Sequence, residues 1–258
     1  MVASATNDGA LVSAQRSGIC SANKFAFLWG VFVTDTYEQQ PFDPGPFVDN
    51  PSQRCPCLLL LDVSGSMSGR PIEELNAGVT LLKDELSADP LASKRVQIAV
   101  VTFGPVETVT EFVDAGLWTA PHLTSKGDTP MGEAIERGLQ MLETQKAIYR
   151  SNGIPPYRPW VFLITDGGPT DSWQNAARMV REGEAGKKFK FFAVGVEGAN
   201  FDVLKQISVG DPIKLKGLRF RDLFAWLSSS LASVSRSQPE EEVKLVNPVT
   251  PNGWGSIA

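Results

Sequence analysis

Hydrophobic positions along this chain fall into two kinds of run, and the two alternate. CLLLLDV (Cys57–Val63), VQIAVVTF (Val96–Phe103), WVFLIT (Trp160–Thr165) and FKFFAVGV (Phe189–Val196) are apolar with little or no alternation and have the length of strands. Such runs predict strands buried on both faces of a sheet. Between them, apolar residues recur at helical spacing. Ile72, Leu75, Val79, Leu82 and Leu86 follow Pro71, and Met131, Ile135, Gly138, Leu139 and Leu142 follow Thr129-Pro130. Trp173, Ala176, Ala177 and Val180 follow Asp171, which is placed to cap that helix. TVTEFV (Thr108–Val113) alternates like an edge strand, and Ser87–Lys94 reads as a loop. A short helix around Leu204–Ile207, a short strand at Pro212–Leu215 and an amphipathic helix through Phe220, Leu223, Phe224, Leu227 and Leu231 close the pattern. The alternation predicts an α/β fold: a doubly wound, mostly parallel central sheet flanked by helices.

The ends depart from this pattern. Residues 1–50 carry no periodicity beyond FAFLWGVFV (Phe25–Val33) and finish in the Pro-rich PFDPGPFVDNP, so they predict an irregular or disordered extension before a domain over 51–235. FAFLWGVFV is far shorter than the ~20 residues a membrane span needs. Asp8 in the preceding leader, and the lack of a small-x-small pattern after it, argue against a secretory signal. A loosely attached strand and an upstream extension both remain open. The tail over 236–258, with Glu240–Glu242 and several prolines, disfavours regular structure. Its apolar Leu245, Val246 and Trp254 suit a clamp on the domain, a docking peptide or a solvated tail equally well.

Charge narrows the function classes. Twenty-four basic against 29 acidic residues leave a net charge of −5, which argues against nucleic acid as the main partner because phosphate binding needs clustered Lys and Arg. Three cysteines, Cys20, Cys55 and Cys57, are too few for a disulfide framework and fit a reducing cytosol. Cys55 and Cys57 lack a second pair at zinc-ligand spacing and read as small apolar fillers of a buried strand.

Candidate chemistry gathers where two buried strands end. Asp62, Ser64 and Ser66 stand at every second position of DVSGS, so in an extended turn their oxygens share one face. Oxygen donors of this kind suit a hard divalent cation, and equally a polar loop that caps the next helix. Asp166 ends another buried strand and Thr129 opens a helix. Taken singly, Asp166 could be a turn former and Thr129 a plain cap. If the strands ending at Asp62 and Asp166 are neighbours, all five residues meet at the carboxyl edge of the sheet, where open α/β sheets bind ligands.

DVSGS at 62–66, GDT at 127–129 and TDG at 165–167 resemble the von Willebrand factor A domain and its metal-ion-dependent adhesion site, over residues of about 55 to 235. The phrases CPCLLLLDVSGSM, RPIEELNAG, VVTFGPV, GDTPMGEAI and LITDGGPTD are similar to the bacterial TerY/YegL type, associated with tellurium resistance and stress operons. The resemblance implies Ser64, Ser66 and Thr129 as direct metal ligands, with Asp62 and Asp166 holding coordinated waters. The oxygen donors suit Mg2+ or Mn2+ ahead of Ca2+, because Mg2+ binds few protein groups and keeps several waters, and neutral hydroxyls would leave an open position that favours an acidic residue of a protein partner. The resemblance further implies a cytoplasmic binding protein working beside kinase and phosphatase components, while the net charge argues against nucleic acid and the lack of a ~20-residue apolar run against a membrane partner. Residues 1–33 have no counterpart in the resemblance, which places the start of the related sequence nearer Thr34.

The rival reading is a metal-dependent hydrolase of phosphatase type. An apolar strand ending in Asp is also found in haloacid dehalogenase phosphatases, but those need a second Asp two positions on, where Ser64 stands. No GxxxxGK[ST] or strand-following GxGxxG occurs, and the single histidine, His122, lies in the loop TAPHLTS with no nucleophile paired to it. A binding module is therefore the expected class, not an enzyme.

Overall fold

Eight consecutive residues, Cys55–Asp62, form the first strand, β1, and every one of them is buried. Successive side chains leave opposite faces of a strand. Leu59 and Leu61 therefore enter one core layer, and Leu58 and Leu60 the other. Full burial of each leucine contributes about 1.5–3 kcal/mol. The structure, a computed structural model, describes residues 50–239, 241 and 243–257. The expected N-terminal extension, with FAFLWGVFV and Cys20, lies outside the described residues except for Asn50.

Along the chain follow α1 (Arg70–Ala88), α2 (Ala92–Arg95), β2 (Val96–Phe103), β3 (Glu107–Asp114), α3 (Met131–Ser151) and β4 (Trp160–Thr165). Then come α4 (Gln174–Ala185), β5 (Lys190–Gly195), α5 (Phe201–Ile207), β6 (Ile213–Leu215), α6 (Phe220–Arg236) and β7 (Gly255–Ile257). The sheet runs in the order β3-β2-β1-β4-β5-β6-β7. Strands β1, β2, β4, β5 and β6 are parallel, while β3 and β7 pair antiparallel at the two edges. The strand order reverses beside β1, which has β2 on one side and β4 on the other. The expected doubly wound α/β sheet is thus present, with α1 and α6 on one face and α3, α4 and α5 on the other.

Two local features differ from the sequence reading, and a third resolves an alternative it left open. One turn of helix, α2, occupies the end of the segment expected as a loop, because Asp89 accepts from the amides of Leu91 and Ala92 at 3.0 and 2.9 Å. The tail is irregular after α6 but closes with β7, whose Ser256 pairs with Lys214 of β6. Trp254 is 4% exposed and meets the Trp226 ring of α6 edge-on, at a centroid separation of 5.6 Å. Of the readings left open for the tail, the clamp is the one observed. Lys216 Nζ holds it by donating to the carbonyls of Thr250, Pro251 and Gly253.

Cys55 and Cys57 are both fully buried in β1. Burial pushes the Cys55 thiol up to about 12 and the Cys57 thiol well above its ordinary value, so neither supplies a thiolate near neutral pH.

Candidate functional site

The strand ends create the site. Leu61 pairs with Ile164, so β1 and β4 are neighbours and their next residues, Asp62 and Thr165, lie side by side at the carboxyl edge. Asp62 is 0% exposed. Its Oδ1 accepts from the Ser64 amide at 2.8 Å and its Oδ2 from the Thr165 hydroxyl at 2.5 Å. Burial raises the Asp62 carboxyl above its ordinary value, and the nearby charge of Asp166 adds to this. The hydrogen bonds from Ser64 and Thr165 oppose the shift.

Beyond Asp62 the chain leaves the sheet through a single 3-10 turn, Gly65–Met67. Neighbouring loops hold this segment at three points. Val63 donates to the Phe103 carbonyl, Lys126 donates to the Val63 carbonyl, and Gly65 donates to the Gly127 carbonyl, at 3.0, 2.7 and 3.0 Å. Gly104 lets these loops close, since a Cβ there would lie 2.3 Å from the Lys126 carbonyl oxygen. In this frame Ser64 Oγ and Ser66 Oγ are 3.0 Å apart, and Ser66 donates to Asp166 Oδ1 at 2.7 Å.

Thr129 arrives from the segment before α3 and is buried. A Cβ placed on Gly167 would lie 3.8 Å from its hydroxyl oxygen, which puts Thr129 beside the turn that carries Asp166. Asp62, Ser64, Ser66, Thr129 and Asp166 therefore converge on one edge, with Asp62 innermost and Ser66 open to solvent. His122 is exposed in its loop.

The donor set is two carboxylates and three hydroxyls. Among the described residues no three His, Cys, Asp or Glu side chains form a group that could hold a metal. Hard oxygen donors remain. Two oxygens bound at right angles to one Mg2+ would lie about 2.9 Å apart. The observed 3.0 Å between the two serine hydroxyls meets that requirement. By donor chemistry, and by the spacing of this one pair, the residues fit a small divalent cation.

A family model for the von Willebrand factor type A domain matches residues 58–214, from within β1 to β6. The chain belongs to the von Willebrand factor type A domain family. Searched against curated proteins, its sequence finds no match. Among solved structures, the VWA fold is shared with the open conformation of the pilus adhesin SpaC from Lactobacillus rhamnosus GG. The TM-score is 0.58 at 13% identity, over 70% of this chain and 30% of the adhesin. Another crystal structure of that adhesin gives a TM-score of 0.57 at 12% identity, over 70% of this chain and 31% of the other. The chain thus spans less than a third of the adhesin's length.

Three residues around these side chains lie within the motif phrases, but the sequence does not disclose their contacts. Thr165, the first residue of TDG and the last of β4, is the donor to Asp62. Thr170 accepts from the Thr129 amide at 3.1 Å. Asp171 does not cap α4 as expected, because α4 begins at Gln174 without a side-chain cap. It turns to α3 instead, accepting from Gly132 and Glu133 at 3.0 and 2.8 Å. The sequence signal for a cap, an acid shortly before a helix, was correct in kind. Which helix it served depended on a contact across 39 residues.

Proposed function

We propose that the VWA domain binds one Mg2+ or Mn2+, with Ca2+ less suited, at a metal-ion-dependent adhesion site made by Asp62, Ser64, Ser66, Thr129 and Asp166. Through that site it captures an acidic residue of a protein partner. The observation that carries this reading is the run of oxygens from Ser64 through Ser66 to Asp166, at 3.0 and 2.7 Å, over an Asp62 fixed at both oxygens. When bound, the cation supplies an electron-poor coordination position for an acidic oxygen. Ser64, Ser66 and Thr129 would present neutral hydroxyls, leaving that position more attractive to a partner's carboxylate. Asp62 and Asp166 would balance the charge from behind, through waters.

The same arrangement favours binding over hydrolysis. Both Asp62 oxygens are engaged and the side chain is fully buried, so it is not presented as a nucleophile. The family is one of protein-interaction and adhesion modules. The motif phrases support a bacterial, cytoplasmic role of TerY/YegL type, in a stress or tellurium-resistance system with kinase or phosphatase components as partners. No described helix is long and apolar enough to cross a membrane.

A pull-down from the source cell with Mg2+, with chelator and with Asp62→Ala tests this. Partner and metal must raise each other's affinity by the same factor, so chelator and Asp62→Ala should each release the partner without unfolding the domain. Retention of the partner in both conditions at fixed ionic strength refutes the reading. Phosphate release from a phosphoester in the presence of Mg2+ would establish the hydrolase instead.

A further inference from the structure

We propose that Thr170 and Asp171 are positioning residues of this site: together they form a clasp that fixes Thr129 relative to Asp166. The inference rests on the metal-binding reading above and adds a determinant of affinity that lies outside the donor set.

The donors differ in how they are held. Ser64, Ser66 and Asp166 are joined directly by side-chain hydrogen bonds. Thr129 comes from another segment, and its backbone is gripped on both sides by one residue of the β4–α4 loop. The Thr129 amide donates to Thr170 Oγ1 at 3.1 Å, and the Thr129 carbonyl accepts from the Thr170 amide at 2.9 Å. The next residue repeats the grip one turn further on. The Asp171 carboxylate accepts from the amides of Gly132 and Glu133, which lie in the first turn of α3 and have no partner within the helix. Its negative charge also suits the positive end of the α3 dipole.

The two backbones touch without slack. A Cβ on Gly132 would lie 2.5 Å from the Ser172 carbonyl oxygen and 2.9 Å from Trp173 Cα, so only glycine lets α3 approach the loop this closely. On its other side the loop is tied down by the Asn200 amide, which donates to the Gly167 carbonyl at 3.1 Å. Four hydrogen bonds from two adjacent residues thus reference Thr129 to the turn that carries Asp166. Residues that orient metal ligands from behind typically change metal affinity by 10–100-fold when altered.

The test is Mn2+ affinity of the full chain at 25 °C, by electron paramagnetic resonance titration, with circular dichroism to establish that each variant is folded. Thr170→Val removes the hydroxyl acceptor without changing size or charge and should weaken Mn2+ binding about tenfold. Thr170→Ser keeps the acceptor and should restore affinity close to wild type. Asp171→Asn, which keeps one acceptor oxygen, should weaken binding less than Asp171→Ala. A role confined to folding would lower the thermal midpoint of Thr170→Val and leave the Mn2+ Kd of the folded protein unchanged. That outcome, with wild type binding Mn2+ normally, overturns the clasp alone. Failure of wild type to bind Mn2+ overturns the metal site, and the clasp with it.

Discussion

The Thr165 hydroxyl donates to Asp62 Oδ2 at 2.5 Å, joining the last residues of two neighbouring parallel strands inside the protein. Thr165 is fully buried and its oxygen also accepts from the Gly167 amide at 3.1 Å. Asp62 is thus linked through one hydroxyl to the turn that presents Asp166. This bond makes a buried carboxylate tolerable at the strand edge, where burial alone raises its protonation tendency.

Removing that hydroxyl should be costly even without metal. Thr165→Val keeps the shape and leaves Asp62 Oδ2 without its donor, so the domain should lose about 1–3 kcal/mol. Thr165→Ser should lose under half of this. Urea unfolding in chelator, read as a change in midpoint at constant slope, checks the pair. Equal stability of Thr165→Val and wild type would show that Oδ2 is satisfied by other means.

Asp89 gives a separate pH signature at the far end of α1. Partial burial acts to raise its carboxyl, but the Ala92 amide, the Arg236 side chain and the Leu91 amide outweigh it and hold the group below its ordinary value. A depressed folded-state value contributes stability above the unfolded value of about 3.9 and loses it as pH falls through the folded value. Wild type should therefore exceed Asp89→Asn by about 0.5–1 kcal/mol at pH 7. The gap should close below about pH 3.9. A gap independent of pH would assign the effect to packing.

These elements also show what a sequence can disclose. Strands β1, β2, β4 and β5 are legible because their residues are buried on both faces, which leaves an apolar run that few other structures require. Asp62 and Asp166 stand out because acids abruptly end such runs. That the two strands are neighbours was a condition the sequence could pose and only the pairing of Leu61 with Ile164 could meet. Contacts between distant segments left no periodic trace. Thr165 looks like any strand threonine, and Asp171 serves a helix that begins 40 residues before it. The strand β7 spans three residues, too few for a period to register.

The tail supplies the next prediction. Trp226 Nε1 donates to the Val246 carbonyl at 2.7 Å, and the half-buried Lys216 donates to three tail carbonyls. Trp254, just after these attachments, is the buried anchor. Trp254→Ala should cost about 2–3 kcal/mol, below the usual value for a core tryptophan because the segment can detach and limit the loss. Hydrogen exchange at the Lys216 amide, which donates to the Trp254 carbonyl, should quicken well ahead of β1 amides. Uniform loss of protection across the sheet would mean that the tail is integral to the core.

Metal should stabilise the domain by mass action, since only the folded chain brings Asp62, Ser64, Ser66, Thr129 and Asp166 together. At a Mg2+ concentration 100 times Kd, the gain is about 2.7 kcal/mol. For a domain near 200 residues that corresponds to a rise of about 5–10 °C in the thermal midpoint. Asp62→Asn should abolish the Mg2+-dependent rise because it deletes negative charge behind the cation. The same change removes a buried carboxylate whose charge is opposed by burial and by Asp166, which offsets the one acceptor lost toward Ser64 or Thr165, so in chelator Asp62→Asn should melt close to wild type. The two halves separate a metal site from a structural one. A carboxylate kept for folding would make Asp62→Asn unstable in chelator and leave its response to Mg2+ intact, the reverse of the expected pattern.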